Sequence, residues 1–294
     1  MESALHRVRQ NSAGIKKYSF IDENKEIFVK ANLTEENEQF EVIYDMRHLR
    51  QVPEGFFVPF AVESLKTGEA RQDTFLWKPQ KDASGILLAF DDDYKEVWER
   101  NFGLFDHYGA RATFFVQGKY CSFCKTALER GHDVGYHSLN HLNLRKVTRR
   151  VFNRETVSQV DAFRNAGVPL NSFAYPFGLF DPWMHKALLN SYAILRGYGV
   201  TFQLYDSAAI RKGFISSKAI DTVLFRKDED FEAAIDIVLR TAKFIGGDTV
   251  LPLTTHDISD TADWGIKPHR LRYLLQSAVD LRLNFYRYRD FFES

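Results

Sequence analysis

The stretch Ile86-Leu87-Leu88-Ala89-Phe90-Asp91-Asp92-Asp93 sets three adjacent carboxylates at the end of an unbroken apolar run. Such a run reads as a strand buried on both faces, and a parallel sheet delivers the last residues of its strands to the rim where ligands bind. Three neighbouring negative charges repel unless a cation or proton holds them. A metal therefore accounts for the cluster, against the plainer reading of a solvated turn. A second set, Gly135-Tyr136-His137-Ser138-Leu139-Asn140-His141, places two histidines four apart. On a helical turn both rings would point the same way and could share one ion. No His-Glu-x-x-His pattern occurs, which argues against a zincin peptidase. One Asp and two His make three ligands and leave a position for water, the arrangement of a hydrolytic metal site.

Two further stretches end apolar runs with functional groups. In Phe173-Ala174-Tyr175-Pro176-Phe177-Gly178 a Pro and a Gly flank an aromatic residue, fixing a sharp turn whose backbone N–H groups can serve an oxyanion. In Leu251-Pro252-Leu253-Thr254-Thr255-His256-Asp257 the strand tip carries His256, which can be a third ligand, a general acid or a satisfied core residue. His6, His48, His107, His132, His185 and His269 receive no role. The pair in Cys121-Ser122-Phe123-Cys124 reads as helix-face thiols; a redox couple or half a zinc knuckle is the competing reading, and no second pair exists to complete a knuckle.

The elements that must position these groups begin near Gly85, where strand and helix patterns alternate. Strands are expected at 86–90, 112–116, 133–137, 172–177, 192–198, 219–225, 249–256 and 283–288, and helices at 94–108, 149–166, 231–245 and 268–281. Gly109, Gly131, Gly167 and the Gly246-Gly247 pair mark helix stops. Strict alternation points to a parallel α/β domain, either a barrel or a doubly wound sheet. Residues 1–80 differ: short β-type runs around Phe20, Phe28, Val42 and Phe57 are separated by polar turns, the pattern of a small antiparallel sheet or partial sandwich. The expected organisation is a β-rich domain over 1–80, able to pack against the main domain, pair subunits or touch a long substrate, and a catalytic domain over 81–294.

The totals exclude several function classes. The 294 residues carry 39 basic and 39 acidic side chains, so net charge gives no general attraction to nucleic acid or anionic lipid. No apolar run is long enough to cross a bilayer. Residues 1–17 are polar and basic without the apolar block of a secretory signal, so the chain as written is expected to be cytoplasmic, or exported had a leader been removed.

Taken in order, AFDDD, HSLNH, FAYPFG and TTHD resemble the polysaccharide deacetylase family, also called the NodB homology domain or carbohydrate esterase family 4, over about residues 85–290. The resemblance implies a distorted (β/α) barrel of about seven or eight parallel strands. It implies Asp91 as general base, Asp92, His137 and His141 as ligands of a divalent metal, and His256 as general acid. Zinc is the expected ion, with cobalt, nickel and iron suited to the same donors. Metal-activated water would attack an acetamide, with the oxyanion held by the metal and by the turn bearing Tyr175 and Phe177. The partner implied is an N-acetylated carbohydrate, and the products are acetate and an amino sugar. Three positions depart from the family pattern. Asp93 stands where Gly is usual, and Tyr175 where Pro is usual. Ala174 stands where an Arg usually braces the base, leaving Arg196 or Arg211 to reach the site instead. Alternatives are an O-deacetylase, a hydrolase of small cyclic amides, and a non-catalytic carbohydrate-binding protein.

Overall fold

A computed structural model describes residues 19–77 and 83–292, apart from the short connections at 24–25, 36–37, 46–47, 49 and 53–54. The expected boundary at 80 and the leading residues 1–17 lie outside the described residues.

The first part is an antiparallel sheet of six strands, β1 (Ser19–Glu23), β2 (Glu26–Glu35), β3 (Glu38–Asp45), β4 (Arg50–Val52), β5 (Gly55–Ser64) and β6 (Ala70–Trp77). They run β1-β2-β3-β5-β4, with β6 also on β5. A period of two explains its faces: Phe40, Val42 and Tyr44 of β3 and Val58, Phe60 and Val62 of β5 are buried, with more accessible residues between them. Tyr44 meets Phe60 on the sheet and, at 5.2 Å between ring centroids, Phe244 of the helix Asp228–Ile245.

The second part is a barrel. Seven parallel strands, β7 (Gly85–Asp92), β8 (Thr113–Val116), β9 (Asp133–Tyr136), β10 (Ser172–Ala174), β11 (Ile194–Gly199), β12 (Phe214–Ala219) and β13 (Val250–Thr255), follow one another in order, and β13 closes on β7. Two short strands, β14 (Asp257–Ile258) and β15 (Gly265–Ile266), pair beyond the rim. The last strand, β16 (Asn284–Tyr286), joins β7 in parallel at Gly85, Ile86 and Leu87, below the stretch from Ala89 to Asp92 that pairs with β8. The barrel is thus seven-stranded, with the eighth strand appended to β7 on the edge it shares with β8.

Each barrel strand sorts its residues by parity. Leu87, Ala89, Phe115, Ala174, Ile194, Ile215 and Val250 pack with one another, while Ile86, Leu88, Phe90, Phe114 and Val116 pack with residues of the surrounding helices. The first set fills the barrel. Asp91, His137, Arg196, Tyr198, Asp221 and His256 continue that same parity at the carboxyl ends of their strands, so the polar groups stand on top of the apolar filling. Little room exists below them: a Cβ on Gly135 would lie 2.4 Å from the Phe115 ring.

Several expected elements take a different form. The strand expected at 219–225 is instead Phe214–Ala219, and residues 222–224 form a turn closed by Leu224 N–H to Asp221 O at 3.0 Å. Polar interior positions such as Ser217, hydrogen-bonded to Thr254, mute the apolar signal of the true strand. The expected helix at 94–108 breaks at Asn101, whose amide caps Val97 O at 2.8 Å. The helix at 149–166 likewise divides into Arg149–Thr156 and Val160–Asn165.

Candidate active site

The rim brings together the sequence-derived groups Asp91, Asp92, His137, His141 and His256. Asp92 Oδ1 lies 3.3 Å from Nε2 of His137 and 3.3 Å from Nε2 of His141. The three donor atoms all fall within 4.8 Å of one another. His137 Nδ1 donates to Ala174 O at 2.9 Å, the tautomer that turns the Nε2 lone pair toward Asp92. Asp92 Oδ1 is buried with no hydrogen-bond partner. Two lone pairs and a carboxylate oxygen facing one another without an intervening proton fit a divalent cation.

The histidine pair does not sit on a helical turn as expected. Residues 137–143 form an irregular loop, with Ser138 at φ 72° and His141 at φ 52°. Buried Glu155 holds it in place by accepting from Asn140 N–H and Asn140 Nδ2, each at 2.8 Å, and His141 N–H donates to Ser138 Oγ at 3.0 Å. Asp92 (φ 84°) and Phe177 (φ 59°) are likewise left-handed, so among the described residues only Arg282 has a positive φ without Gly and away from this loop system. Backbone strain of this kind persists where surrounding structure over-determines it.

Asp91 is fully buried. Its Oδ2 accepts from Arg196 Nη2 and, at 2.6 Å, from the Tyr198 hydroxyl, while Oδ1 is left without a partner. Arg196 replaces the arginine missing at 174: its register partner across β10 and β11 is Ala174 itself. The methyl side chain opposite leaves room for a fully buried guanidinium, which lies 5.3 Å from the Phe115 ring and 4.6 Å from that of Tyr198. Arg211 donates to Phe291 O and takes no part. Burial pushes the Asp91 carboxyl up, but Arg196, His137, His256 and the Tyr198 hydroxyl outweigh it and hold the group below the usual carboxylate value. Asp92 is held at about 2, burial being outweighed by its close contacts with His137, His256 and His141. Asp93 turns outward and pairs with Lys95, so its extra charge is neutralised away from Asp91.

His256 Nδ1 donates to Asp221, 3.1 Å from Oδ1 and 3.0 Å from Oδ2, and Asp221 also accepts from Thr255 Oγ1 at 2.7 Å. Burial works against a charged imidazole, yet the Asp221 hydrogen bond and charge, with Asp91 and Asp92 beyond, raise His256 above its ordinary value of 6.5. Its Nε2 lies 3.1 Å from the Tyr198 oxygen. A continuous path from His256 through Tyr198 to Asp91 results.

Asp221, Tyr198 and Glu155 were not among the sequence-derived site residues. Tyr198 stands two residues after Arg196 on one face of a strand, a signal that was available, whereas Asp221 follows a partly polar strand and gave none. Tyr175 is not brought to the site. Its side chain is fully buried and stacks on Phe180 at 4.7 Å, and its N–H donates to Arg196 O at 3.0 Å. The aromatic ring at a usual Pro position serves the core. Phe177 does reach the rim, 54% exposed, with its ring 4.5 Å from that of His141.

Above these groups opens a cavity of about 570 Å³ floored by Asp92, His141, Tyr198 and His256. Exposed Phe177, Val200, Leu224 and Trp264 form its rim. The arrangement sets three donors that could hold a cation between the buried Asp91 carboxyl and the His256 imidazole.

Residues 78–192 match the family model described as polysaccharide deacetylase, a segment that includes the AFDDD, HSLNH and FAYPFG stretches. That segment is similar to the polysaccharide deacetylase family. No curated protein matches the chain. Among solved structures, peptidoglycan deacetylase PdaC from Bacillus subtilis is 17% identical, with 71% of this chain and 90% of that one covered at a TM-score of 0.50. The chitin deacetylase of the fungal pathogen Colletotrichum lindemuthianum is 14% identical, covering 72% and 89% at 0.51. A CE4 family pseudoenzyme mutant with restored enzymatic activity is 13% identical, covering 80% and 88% at 0.51. These likenesses establish the distorted barrel fold. The pseudoenzyme among them shows that this fold does not by itself guarantee activity.

Proposed function

We propose that the chain is a metal-dependent deacetylase that removes N-acetyl groups from an acetylated glycan or glycan precursor. The observation that carries this is Asp91 Oδ1, a buried, unpartnered carboxylate oxygen next to a three-donor cation site. Asp92, His137 and His141 would hold the cation, zinc first among those that two imidazoles and a carboxylate suit. A divalent cation there supplies Lewis acidity and makes water acidic enough to ionise near neutral pH.

The protein's own residues do the remainder. Asp91, kept ionised and oriented by Arg196 and Tyr198, accepts the proton of the attacking water on Oδ1. The Phe177 amide serves as an oxyanion donor. His256, protonated and held by Asp221, delivers its Nε2 proton to the leaving nitrogen. An amide needs all three aids, because its carbonyl is unreactive and its amine leaves only once protonated. That demand favours N- over O-deacetylation. The rim of exposed aromatic and aliphatic residues suits a sugar ring on an open polymer better than a small cyclic amide sealed in a pocket. Residues 81–294 form the catalytic unit in this reading, and residues 1–80 a β-rich unit available for subunit pairing or substrate contact.

The test is acetate release from a panel of N- and O-acetylated glycans by the zinc-loaded protein. Asp91→Asn is expected to lower the rate about 10²–10⁴-fold with metal retained. Unchanged release in that variant would remove Asp91 from the chemistry.

A further inference from the structure

A second cleft, of about 330 Å³, lies between the helix Arg149–Thr156 and the helix Pro182–Leu188. These helices continue the two loops that carry His141 and Phe177, and Arg145 Nε ties them at their starts by donating to Asp181 Oδ1 at 2.9 Å. Although the chain as a whole has no net charge, Arg145, Lys146, Arg149, Arg150 and Arg154 are all exposed here. Two acidic side chains pair with this run, Asp181 with Arg145 at 2.9 Å and Glu155 with Arg154 at 3.6 Å, and neither pairs with Arg149 or Lys186.

The cleft itself is built from Arg149, Asn153, Trp183, Lys186 and Asn190. Trp183 is wedged against Phe152 at 4.9 Å, and the Arg149 guanidinium lies over the indole with Cζ 5.1 Å from the ring centroid. That contact restricts the guanidinium while leaving its N–H donors without an acceptor among the described residues. A guanidinium held on a ring is pre-organised to grip a carboxylate or phosphate through two parallel hydrogen bonds. Lys186 adds a second cation, and the Asn153 and Asn190 amides add donors and acceptors of the kind that read sugar hydroxyls.

We infer that this cleft is a binding site for an anionic sugar residue of the glycan. The substrate class is thereby narrowed to acetylated glycans bearing carboxylate or phosphate groups. The inference rests on the deacetylase reading for its polymer, but not for its test.

The test is calorimetric titration of the zinc-loaded full chain carrying Asp91→Asn, which slows turnover. The probes are a hyaluronan tetrasaccharide, alternating N-acetylglucosamine with glucuronate, and neutral chitotetraose. The anionic probe is expected to bind about tenfold more tightly, the effect of one charge-assisted pair. Arg149→Gln with Lys186→Gln is expected to reduce it to the level of chitotetraose, with chitotetraose affinity and circular dichroism unchanged. Arg149→Lys, which keeps the charge and loses the fork, is expected to bind the anionic probe more weakly than the parent. Equal affinity for the two probes, or an anionic preference that survives the double substitution, would overturn the proposal. So would inorganic phosphate competing as strongly as the tetrasaccharide, which would make the cleft a free-anion site. Arg149-dependent sedimentation with phosphatidylglycerol vesicles, tighter than the sugar, would assign it to a membrane surface instead. Failure of acetate release in the unsubstituted protein leaves these binding differences untouched, so the two readings fail separately.

Discussion

Arg196 is the residue on which the site's departure from the pattern it resembles turns. Ala174 and Arg196 are register partners, so a guanidinium supplied from one strand further along the sheet reaches the same carboxylate. Removing one member of a buried ion pair leaves the other charge uncompensated, which costs about 3–5 kcal/mol. Arg196→Ala is therefore expected to lower urea-unfolding stability by about that amount. Arg196→Ala with Ala174→Arg, which returns the cation to β10, is expected to recover part of the loss; a double variant less stable than the single one would show that the two positions do not exchange roles. Which arginine reached the base was not readable from sequence, since both Arg196 and Arg211 follow apolar residues and only strand register separates them. Asp91 and Asp92 were legible because they end a strongly apolar run, His137 and His141 because they stand four apart after a strand, and His256 because it stands at a strand tip. Tyr175 misled for the same reason in reverse: it ends such a run, yet its parity turns it outward among the helices.

At the scale of elements, the seven strands supply positions and the loops supply direction. Strand alternation places Asp91, Arg196, Tyr198, Asp221 and His256 over the barrel filling, and their distances follow from register. His141 depends instead on an irregular loop braced by Glu155, an interaction between residues fifteen apart that no local periodicity reveals. Glu155→Gln, which keeps the shape and removes the charge, is expected to weaken metal affinity about 10–100-fold. Competition with a chelator of known affinity measures this, and an unchanged constant would make the brace dispensable. The strand expected at 219–225 was displaced to Phe214–Ala219 because the interior of that strand is partly polar. Asp221 was hidden by the same error, read as mid-strand when it stands beyond a strand's end.

Across the whole molecule, charge placement is expected to set the pH range of the proposed activity. Asp91 lies below the usual carboxylate value and stays ionised, while His256 is raised above 6.5, chiefly against burial by its bond to Asp221. A raised imidazole contributes its stabilisation fully below pH 6.5 and loses it as the pH climbs through the folded value. Activity is accordingly expected to fall on the alkaline side as His256 loses its proton. Asp221→Asn is expected to move that alkaline limb to lower pH, measured in kcat against pH; a limb that stays in place would detach it from His256. No helix among the described residues is long and apolar enough to cross a membrane. The six-stranded sheet meets the barrel domain through Tyr44 and Phe244, on a helix that packs outside the barrel.

The central claim is that Asp92, His137 and His141 converge on one cation while His256 stands beside it as an acid. Metal content per chain after zinc loading and gel filtration tests this most directly in the parent, His141→Ala and His256→Ala. One zinc per chain is predicted for the parent and for His256→Ala, and none for His141→Ala. Zinc retained without His141, or lost without His256, would contradict the ligand assignment.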